Sequence, residues 1–214
     1  MRRCRVPVAF TEAERERITA ALKASGRRLF ATAGLRKTSL AALVADAGIV
    51  KSTFYAFFES KEALYLHLLL EQAEETRRRT IDEGLHAGTD ARDALRRFLR
   101  AAVGILSTDP LYRRLVTHPD ELAMVVAKVG PETARPPGEN PAPVDFVDDL
   151  TTYIAERQRA GAVTGTDPAV VVGALRTVLL VPLHADEFGE AYPAVLDLTI
   201  DALTAGLAPG TARA

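Results

Sequence analysis

The segment from residue 34 to residue 62 constrains the fold more than any other part of this chain, because it predicts two short helices joined by a tight turn. Thr38 and Ser39 are residue types that cap helix N-termini, and the apolar residues after them recur at steps of three and four, on one helix face. Gly48 suits the left-handed position that ends such a helix. A second helix is predicted over residues 51–58. Two helices around a glycine turn indicate a helix-turn-helix, whose second helix enters the major groove of DNA.

The distribution of charge supports this interpretation. Residues 1–62 contain twelve Lys or Arg and six Asp or Glu, a net charge of +6, whereas the whole chain carries −1. The remainder therefore carries −7. Because neutralisation of phosphates supplies most of the non-specific affinity for DNA, a basic segment that also holds a helix-turn-helix pattern predicts DNA binding more strongly than either feature alone.

The same segment resembles the DNA-binding segment of the TetR-type transcriptional repressors. The likeness covers residues 11–62, and its core reads Thr-Phe-Tyr-x-x-Phe-x-x-Lys-Glu. Two positions depart from the family pattern: Val50 stands where a capping Ser is usual, and Ser52 where Gly is frequent. A lost helix cap costs about 1 kcal/mol. The matching residues, in the family's order and spacing, are Gly34, Thr38, Leu43, Ala47, Gly48, Lys51, Thr53, Tyr55, Phe58, Lys61 and Glu62.

The chain is predicted to be all-α, because Ala, Leu, Val and Arg dominate its composition and helical periodicity recurs along it. A capping box of Thr11 and Glu14 starts the first helix at residue 12. Ser60 caps a long helix whose polar second half is expected to be solvated. In a TetR-type protein this helix links the DNA-binding part to a helical-bundle ligand domain. The predicted divisions are a basic arm (1–10), a three-helix helix-turn-helix domain (11–62), a helical ligand-binding and dimerisation domain (63–208) and a tail (209–214).

Candidate DNA contacts lie at the second helix of the motif and around it. Lys51, Ser52 and Thr53 begin that helix and are expected to reach base edges. The basic arm is interpreted as a solvated tail, with the alternative that its arginines reach phosphates or a minor groove. The residues expected on phosphates are Tyr55, Ser39, Thr38 and Lys61.

The last two predicted helices, about 168–186 and 193–206, are apolar over nearly their whole surface. Burial in a larger core would explain this, and so would a two-fold interface in which both helices of each chain form a four-helix bundle. The resemblance implies the second alternative, a homodimer, and proteins that read palindromic operators in double-stranded DNA need two copies of the motif.

The middle helices could enclose an apolar small-molecule site with a few polar groups. Each candidate residue is also a plausible plain core residue, and it is the resemblance that implies a cavity for an effector of unknown identity. The candidates are aromatic, apolar or polar side chains on faces predicted to be buried: Phe98, Ala102, Leu106, Tyr112, Leu115, Leu122, Met124, Val125, Phe146, Tyr153, Arg176 and His184.

The sequence offers little other chemistry. The four histidines are scattered, without the spacing of a metal site, and no phosphate loop, nucleophile motif or Cys–His pair is found, so no catalytic residue, metal or cofactor is expected. The apolar stretch at 6–10 is too short for a secretion signal. The longest apolar stretch, 169–183, contains Arg176 and Pro182 and is shorter than a membrane span, which favours a cytoplasmic protein without a membrane partner.

The leading hypothesis is a dimeric, sequence-specific DNA-binding transcription regulator, a repressor released from its operator by a small, largely apolar ligand. An alternative is an architectural or partner-binding DNA protein without an effector, which a closed helical domain would distinguish. A helical-bundle enzyme would need a convergent set of catalytic or metal-binding side chains, and the sequence presents none.

Overall fold

The computed structural model describes residues 10–129, 147–165 and 167–209, and within these ranges the chain is helical and contains no strand. The predicted all-α class is confirmed. Three segments depart from α-helical geometry: a π-helical stretch at Arg78–Leu85 and 3-10 turns at Val178–His184 and Gly189–Ala191. The α-helices are α1 (Glu12–Lys37), α2 (Leu40–Ala47), α3 (Lys51–Phe54), α4 (Lys61–Arg77), α5 (Ala91–Thr108), α6 (Pro110–Thr117), α7 (Pro119–Val129), α8 (Val147–Arg159), α9 (Pro168–Thr177), α10 (Ala185–Phe188) and α11 (Tyr192–Leu207).

The chain divides into two compact units. The N-terminal unit contains α1, α2, α3, the part of α4 up to Leu68, and α7; the C-terminal unit contains the other helices. The division thus falls inside α4 rather than after residue 62. It also places α7 with the helix-turn-helix, because Glu62 and Tyr65 of α4 are bonded to side chains of α7.

The N-terminal unit is built on α1. The predicted capping box is present: the Thr11 hydroxyl accepts from the Glu14 N–H, and the Glu14 carboxylate accepts from the Thr11 N–H. The helix is interrupted at Gly34, where φ is 77° and ψ is 169°, and it ends at Lys37. Its inner face packs on α2, α3 and the first part of α4 through side chains that are at most 2% exposed: Ile18, Leu22, Phe30, Leu43, Phe54, Leu64, Tyr65 and Leu68.

The described residues of the C-terminal unit form an apolar core, to which α5 contributes the largest share. Helices α8, α9 and α11 and the π-helical stretch supply the other walls. Outside this core, two ion pairs join α5 to α11: Arg96 lies 2.9 Å from Asp201, and Arg100 lies 3.0 Å from Asp197. Core residues at most 1% exposed include Leu85, Leu95, Leu99, Ile154, Leu175, Val178 and Ile200.

The π-helical stretch contradicts the expectation that the second half of the long helix is solvated, because Thr80, Ile81 and Leu85 are buried. Two of its ion pairs follow the five-residue repeat of a π-helix: Arg77 pairs with Asp82 and Arg78 with Glu83. The polar residues seen in the sequence therefore occupy one face, and the other face is part of the core.

The last helical run, Pro168–Leu207, is 40 residues long, and an 18-residue window within it has a mean hydropathy of 1.6. It is therefore longer than the apolar stretch suggested by the sequence, and by length and composition it could cross a membrane. Only 28% of that window is buried inside the chain. Val170, Leu180 and Leu198 are 62%, 55% and 72% exposed, so this run presents apolar side chains on the surface of the C-terminal unit.

Candidate nucleic-acid interface

The first helix of the motif, α2, is fixed at both ends by its own caps. The Ser39 hydroxyl accepts a hydrogen bond from the Ala42 N–H at 3.1 Å, and so satisfies a free donor of the first turn. Gly48 ends the helix in the left-handed conformation, with φ 65° and ψ 29°, which L-residues with a side chain rarely adopt. The turn into the next helix is therefore set by local chemistry that the sequence predicted.

The second helix, α3, is shorter than predicted. Four residues form the helix, and the chain continues to Phe58 as a helical turn in which the Phe58 N–H donates to the Phe54 carbonyl at 3.0 Å. Phe54 is fully buried, with its ring centroid 5.9 Å from that of Phe58. Phe57 is half-buried and receives the Arg15 guanidinium over its ring at 5.2 Å. These aromatic contacts hold the recognition helix on the unit.

Three of the predicted DNA-contact residues of α3 and its turn face outward. Lys51 and Ser52 are exposed at the beginning of the helix, and Tyr55 is 60% exposed one turn later. Thr53 is half-buried, and its N–H donates to the Val50 carbonyl at 3.0 Å. Ser39 is also exposed, although its hydroxyl is engaged as the cap of α2.

Thr38 and Lys61 are engaged inside the unit. Thr38 is 3% exposed, and its hydroxyl donates to the Gly34 carbonyl at 2.7 Å. The Lys61 ammonium donates to the carbonyls of Leu35 at 2.7 Å and Thr38 at 2.8 Å. The last carbonyls of a helix lack partners within it, so both side chains close the end of α1. Burial leaves the Thr38 side chain without surface for the phosphate contact expected from the sequence.

Helix α7 contacts the beginning of α4, directly after the helix-turn-helix, through two side-chain interactions. The Lys128 ammonium lies 2.8 Å from the Glu62 carboxylate, whose side chain is 10% exposed, and the Tyr65 hydroxyl donates to the Glu121 carboxylate at 3.4 Å. Burial acts to raise the pKa of Glu62, but the hydrogen bonds from Lys128 and from the backbone, with the charges of Lys128 and Lys61, lower it overall. Glu62 is therefore held as a carboxylate beneath the helix-turn-helix.

The candidate ligand residues are divided between the two units. Eight of the twelve belong to the C-terminal unit, three (Leu122, Met124 and Val125) lie on α7 in the N-terminal unit, and Phe146 lies outside the described residues. Tyr153 lies at the edge of the C-terminal core, and burial raises the pKa of its hydroxyl. Five candidates are buried on α5 and α6: Phe98, Ala102, Leu106, Tyr112 and Leu115.

The two polar candidates of that unit were expected on buried faces, and this expectation is wrong. Arg176 is exposed on α9. His184 is exposed at the end of the 3-10 turn, where its Nδ1 lies 2.9 Å from the Glu187 carboxylate. Periodicity placed both on apolar helices, but these helices are covered on one side only, so their polar residues reach the surface.

A short helix that follows a glycine turn on a three-helix core and presents exposed polar residues defines the helix-turn-helix class of DNA-binding protein. Residues 22–68 match the sequence model of the bacterial regulatory proteins of the tetR family. This segment is therefore similar to the DNA-binding part of those regulators. No curated protein matches the sequence of the chain.

Several solved structures share the fold along nearly their whole length. A TetR family transcription regulator from Marinobacter aquaeolei has a TM-score of 0.66 and 17% identity, over 92% of this chain and 99% of that one. A TetR-family regulator from Haemophilus influenzae gives 0.65 and 15%, over 92% and 100%. AibR, crystallised with isovaleryl coenzyme A and operator DNA, gives 0.60 and 15%, over 90% and 98%. The similarity in fold therefore extends beyond the helix-turn-helix motif and includes the C-terminal unit.

Proposed function

We propose that this protein is a dimeric, sequence-specific DNA-binding transcription regulator, a cytoplasmic repressor released from its operator by a small, largely apolar ligand. The observation that supports this most directly is the exposure of Lys51, Ser52 and Tyr55 on a short helix that aromatic packing fixes to a basic domain. No catalytic role is proposed.

The DNA contacts are assigned by position and chemistry. Lys51 and Ser52 begin the recognition helix and read base edges, with Thr53 beside them; Tyr55 and Ser39 contact phosphates. Thr38 and Lys61 affect DNA binding indirectly. Their hydrogen bonds at the end of α1 fix the orientation of α2 and α3 relative to α1. Lys61 is only half-buried, so its charge also adds to the field that attracts phosphate.

Fluorescence anisotropy on the DNA upstream of the chain's own gene tests the proposal, with a footprint and a salt series. We expect a protected palindrome and an affinity that falls steeply as salt rises. Lys51→Ala should change the sequence preference, whereas Tyr55→Phe should weaken binding to every duplex alike. Arg159→Ala removes the same charge from an exposed position on α8 and should leave binding unchanged. Equal losses from the two motif variants on all duplexes would contradict the assignment.

The dimer is proposed to form through the last two helices, about 168–186 and 193–206, as a four-helix bundle. Exposed apolar side chains on α9, the 3-10 turn and α11 support this interface, since apolar surface of this kind on a protein usually marks an interaction site. Leu198→Glu should give a monomer in sedimentation velocity and abolish operator binding. Val116→Glu, on α6 and also exposed, serves as the matched control and should remain a dimer.

The effector is proposed to bind among the buried faces of α5 and α6, where Phe98, Ala102 and Leu106 follow each other at four-residue steps. Binding would favour a dimer whose recognition helices no longer match major grooves about 34 Å apart. Because coupling is reciprocal, operator DNA must then weaken the ligand by the factor by which the ligand weakens DNA.

A thermal-shift screen of small apolar acids and esters, followed by anisotropy with each hit, tests the effector. A compound that stabilises the protein and releases the operator supports the repressor. Operator binding that no stabilising compound alters, in a dimer whose Ala102→Trp variant loses stability because no cavity accepts the larger side chain, would favour the effector-independent DNA protein instead.

A further inference from the structure

Val50 is an exposed apolar residue in the middle of the polar surface of the motif. It is 65% exposed and directly precedes Lys51 and Ser52, which are exposed as well. Its backbone is extended, with φ −89° and ψ 158°, and its carbonyl accepts the Thr53 N–H at 3.0 Å. The position of the Val50 side chain is therefore fixed by the first turn of the recognition helix.

Stability of the protein does not account for valine here. The residue is the N-cap of α3, and its side chain makes no capping hydrogen bond. Ser39, the N-cap of the neighbouring helix, shows what the position normally holds, because its hydroxyl accepts from the Ala42 N–H. The valine side chain is also not part of the buried core. The residue type is unfavourable both for the helix end and for an exposed surface.

A contact with DNA explains both features. In the major groove each base pair offers hydrogen-bond donors and acceptors, and the one apolar group on a base edge is the C5 methyl of thymine. Valine has no side-chain donor or acceptor, so of these features it can recognise only the methyl. Its position beside Lys51 and Ser52 places it with the residues that reach base edges in helix-turn-helix proteins.

We propose that Val50 is a specificity-determining residue that reads the C5 methyl of one thymine in each half-site of the operator. The proposal rests on the function proposed above. Burying one methyl group against an apolar side chain corresponds to a change in affinity of about three- to fivefold, so two half-sites give about ten- to twentyfold.

The experiment uses the full-length protein and its operator duplex, in which each thymine position is replaced by deoxyuridine, symmetrically in both half-sites. Deoxyuridine lacks only the methyl. For the wild type, we expect one position at which the replacement weakens binding about ten- to twentyfold. Val50→Ser should lose this difference at that position and keep the other duplexes in the same order of affinity.

One further variant, Val50→Thr, separates recognition of the methyl group from a change in helix stability. Val50→Thr keeps one methyl and adds a capping hydroxyl, so it should retain part of the thymine preference. Val50→Ser adds the same hydroxyl without the methyl, and its thermal midpoint should match that of Val50→Thr. Equal thymine preference in these two variants would overturn the proposal.

The outcomes also distinguish this proposal from the function on which it rests. If the operator is bound and no deoxyuridine position discriminates wild type from Val50→Ser, the role of Val50 is refuted, whereas the proposed function as a DNA-binding regulator is retained. If no duplex is bound in preference to random DNA, the regulator fails and the role of Val50 fails with it.

Discussion

Each of the two units is stabilised internally, and the contacts that stand out differ between them. In the N-terminal unit, named hydrogen bonds fix the ends of the helices: Thr11 and Ser39 cap two of them, and Thr38 and Lys61 close α1. In the C-terminal unit, one apolar cluster from α5, α8, α9, α11 and the π-helical stretch dominates. Polar bonds are directional, so the role of a residue in the N-terminal unit can be assigned individually. Apolar packing is not directional, so core residues and pocket residues of the C-terminal unit have the same character.

The largest expected losses of stability come from substitutions that create a cavity in the core of one unit and leave the core of the other unit unchanged. Phe54→Ala in the N-terminal unit should cost about 3–5 kcal/mol and Leu95→Ala in the C-terminal unit about 2–5 kcal/mol, because both side chains are fully buried. Hydrogen-exchange mass spectrometry should show faster exchange in α1 and α2 for the Phe54 variant and in α5 for the Leu95 variant. Faster exchange along the whole chain in both variants would mean that the units unfold together, and the comparison would fail.

The next prediction tests whether the hydrogen bonds of Lys61 to the end of α1 stabilise the N-terminal unit. Lys61→Met should lower the free energy of unfolding by about 3 kcal/mol, since the Leu35 carbonyl of α1 and the Thr38 carbonyl directly after the helix each lose a charge-assisted hydrogen bond. Thermal melting measures this loss. Lys51→Met removes an exposed Lys and should leave the midpoint unchanged while weakening operator binding. Equal midpoints for the two variants would show that Lys61 acts on DNA only.

A smaller effect tests the close packing of the π-helical stretch on α5. A Cβ on Gly84 would lie 3.2 Å from the Arg79 carbonyl oxygen and 3.3 Å from the Phe98 Cα, and backbone cannot move aside cheaply. Gly84→Ala should therefore cost about 1–3 kcal/mol. Gly104→Ala, inside α5 with open space around the added methyl, should stabilise by about 0.5–1 kcal/mol. Chemical denaturation of both variants measures the difference, and the same sign for both would refute close packing at Gly84.

The smallest effect is the pH dependence that Glu62 contributes. The pKa of Glu62 is lowered below its ordinary value of 4.5 in the folded protein, so its stabilising contribution is present above that value and is lost as the pH falls through the lowered pKa. Its partner Lys128 is exposed, so the pair contributes at most about 1 kcal/mol. The difference in melting temperature between wild type and Glu62→Gln should therefore shrink as the pH is lowered below 4.5. A constant difference would indicate that the pair makes no contribution.

Much of the N-terminal unit could be predicted from local patterns. The capping box at Thr11, the Ser39 cap, the turn at Gly48 and the Ser60 cap, whose hydroxyl accepts from the Ala63 N–H at 3.0 Å, all follow from residue types at fixed spacing. The helix-turn-helix and its exposed recognition residues were therefore accessible without a structure. The engagement of Lys61 was not, because its carbonyl partners lie 23 and 26 positions away in the sequence.

The C-terminal unit shows where periodicity is insufficient. The sequence placed α11 within one residue of both its ends, but it placed Arg176 and His184 on buried faces and took the polar second half of the long helix to be solvated. Each error concerns which face of a helix is covered. That depends on neighbouring helices far away in the chain, and the charges at residues 74–79 hid the buried face formed by Thr76, Thr80 and Ile81.

Residue types and their spacing are sufficient to specify the helical class, the two-helix motif, the glycine turn and the basic charge of the DNA-binding end, because caps, turns and helical periodicity depend on residues at most four or five apart. Four other features emerge only from the folded chain: α7 belongs with the motif, Lys61 and Thr38 close α1, the long helix widens into a π-helical stretch over Phe98, and Val50 stands exposed among the recognition residues. These features depend on contacts between residues distant in the sequence, whose energies no local pattern records.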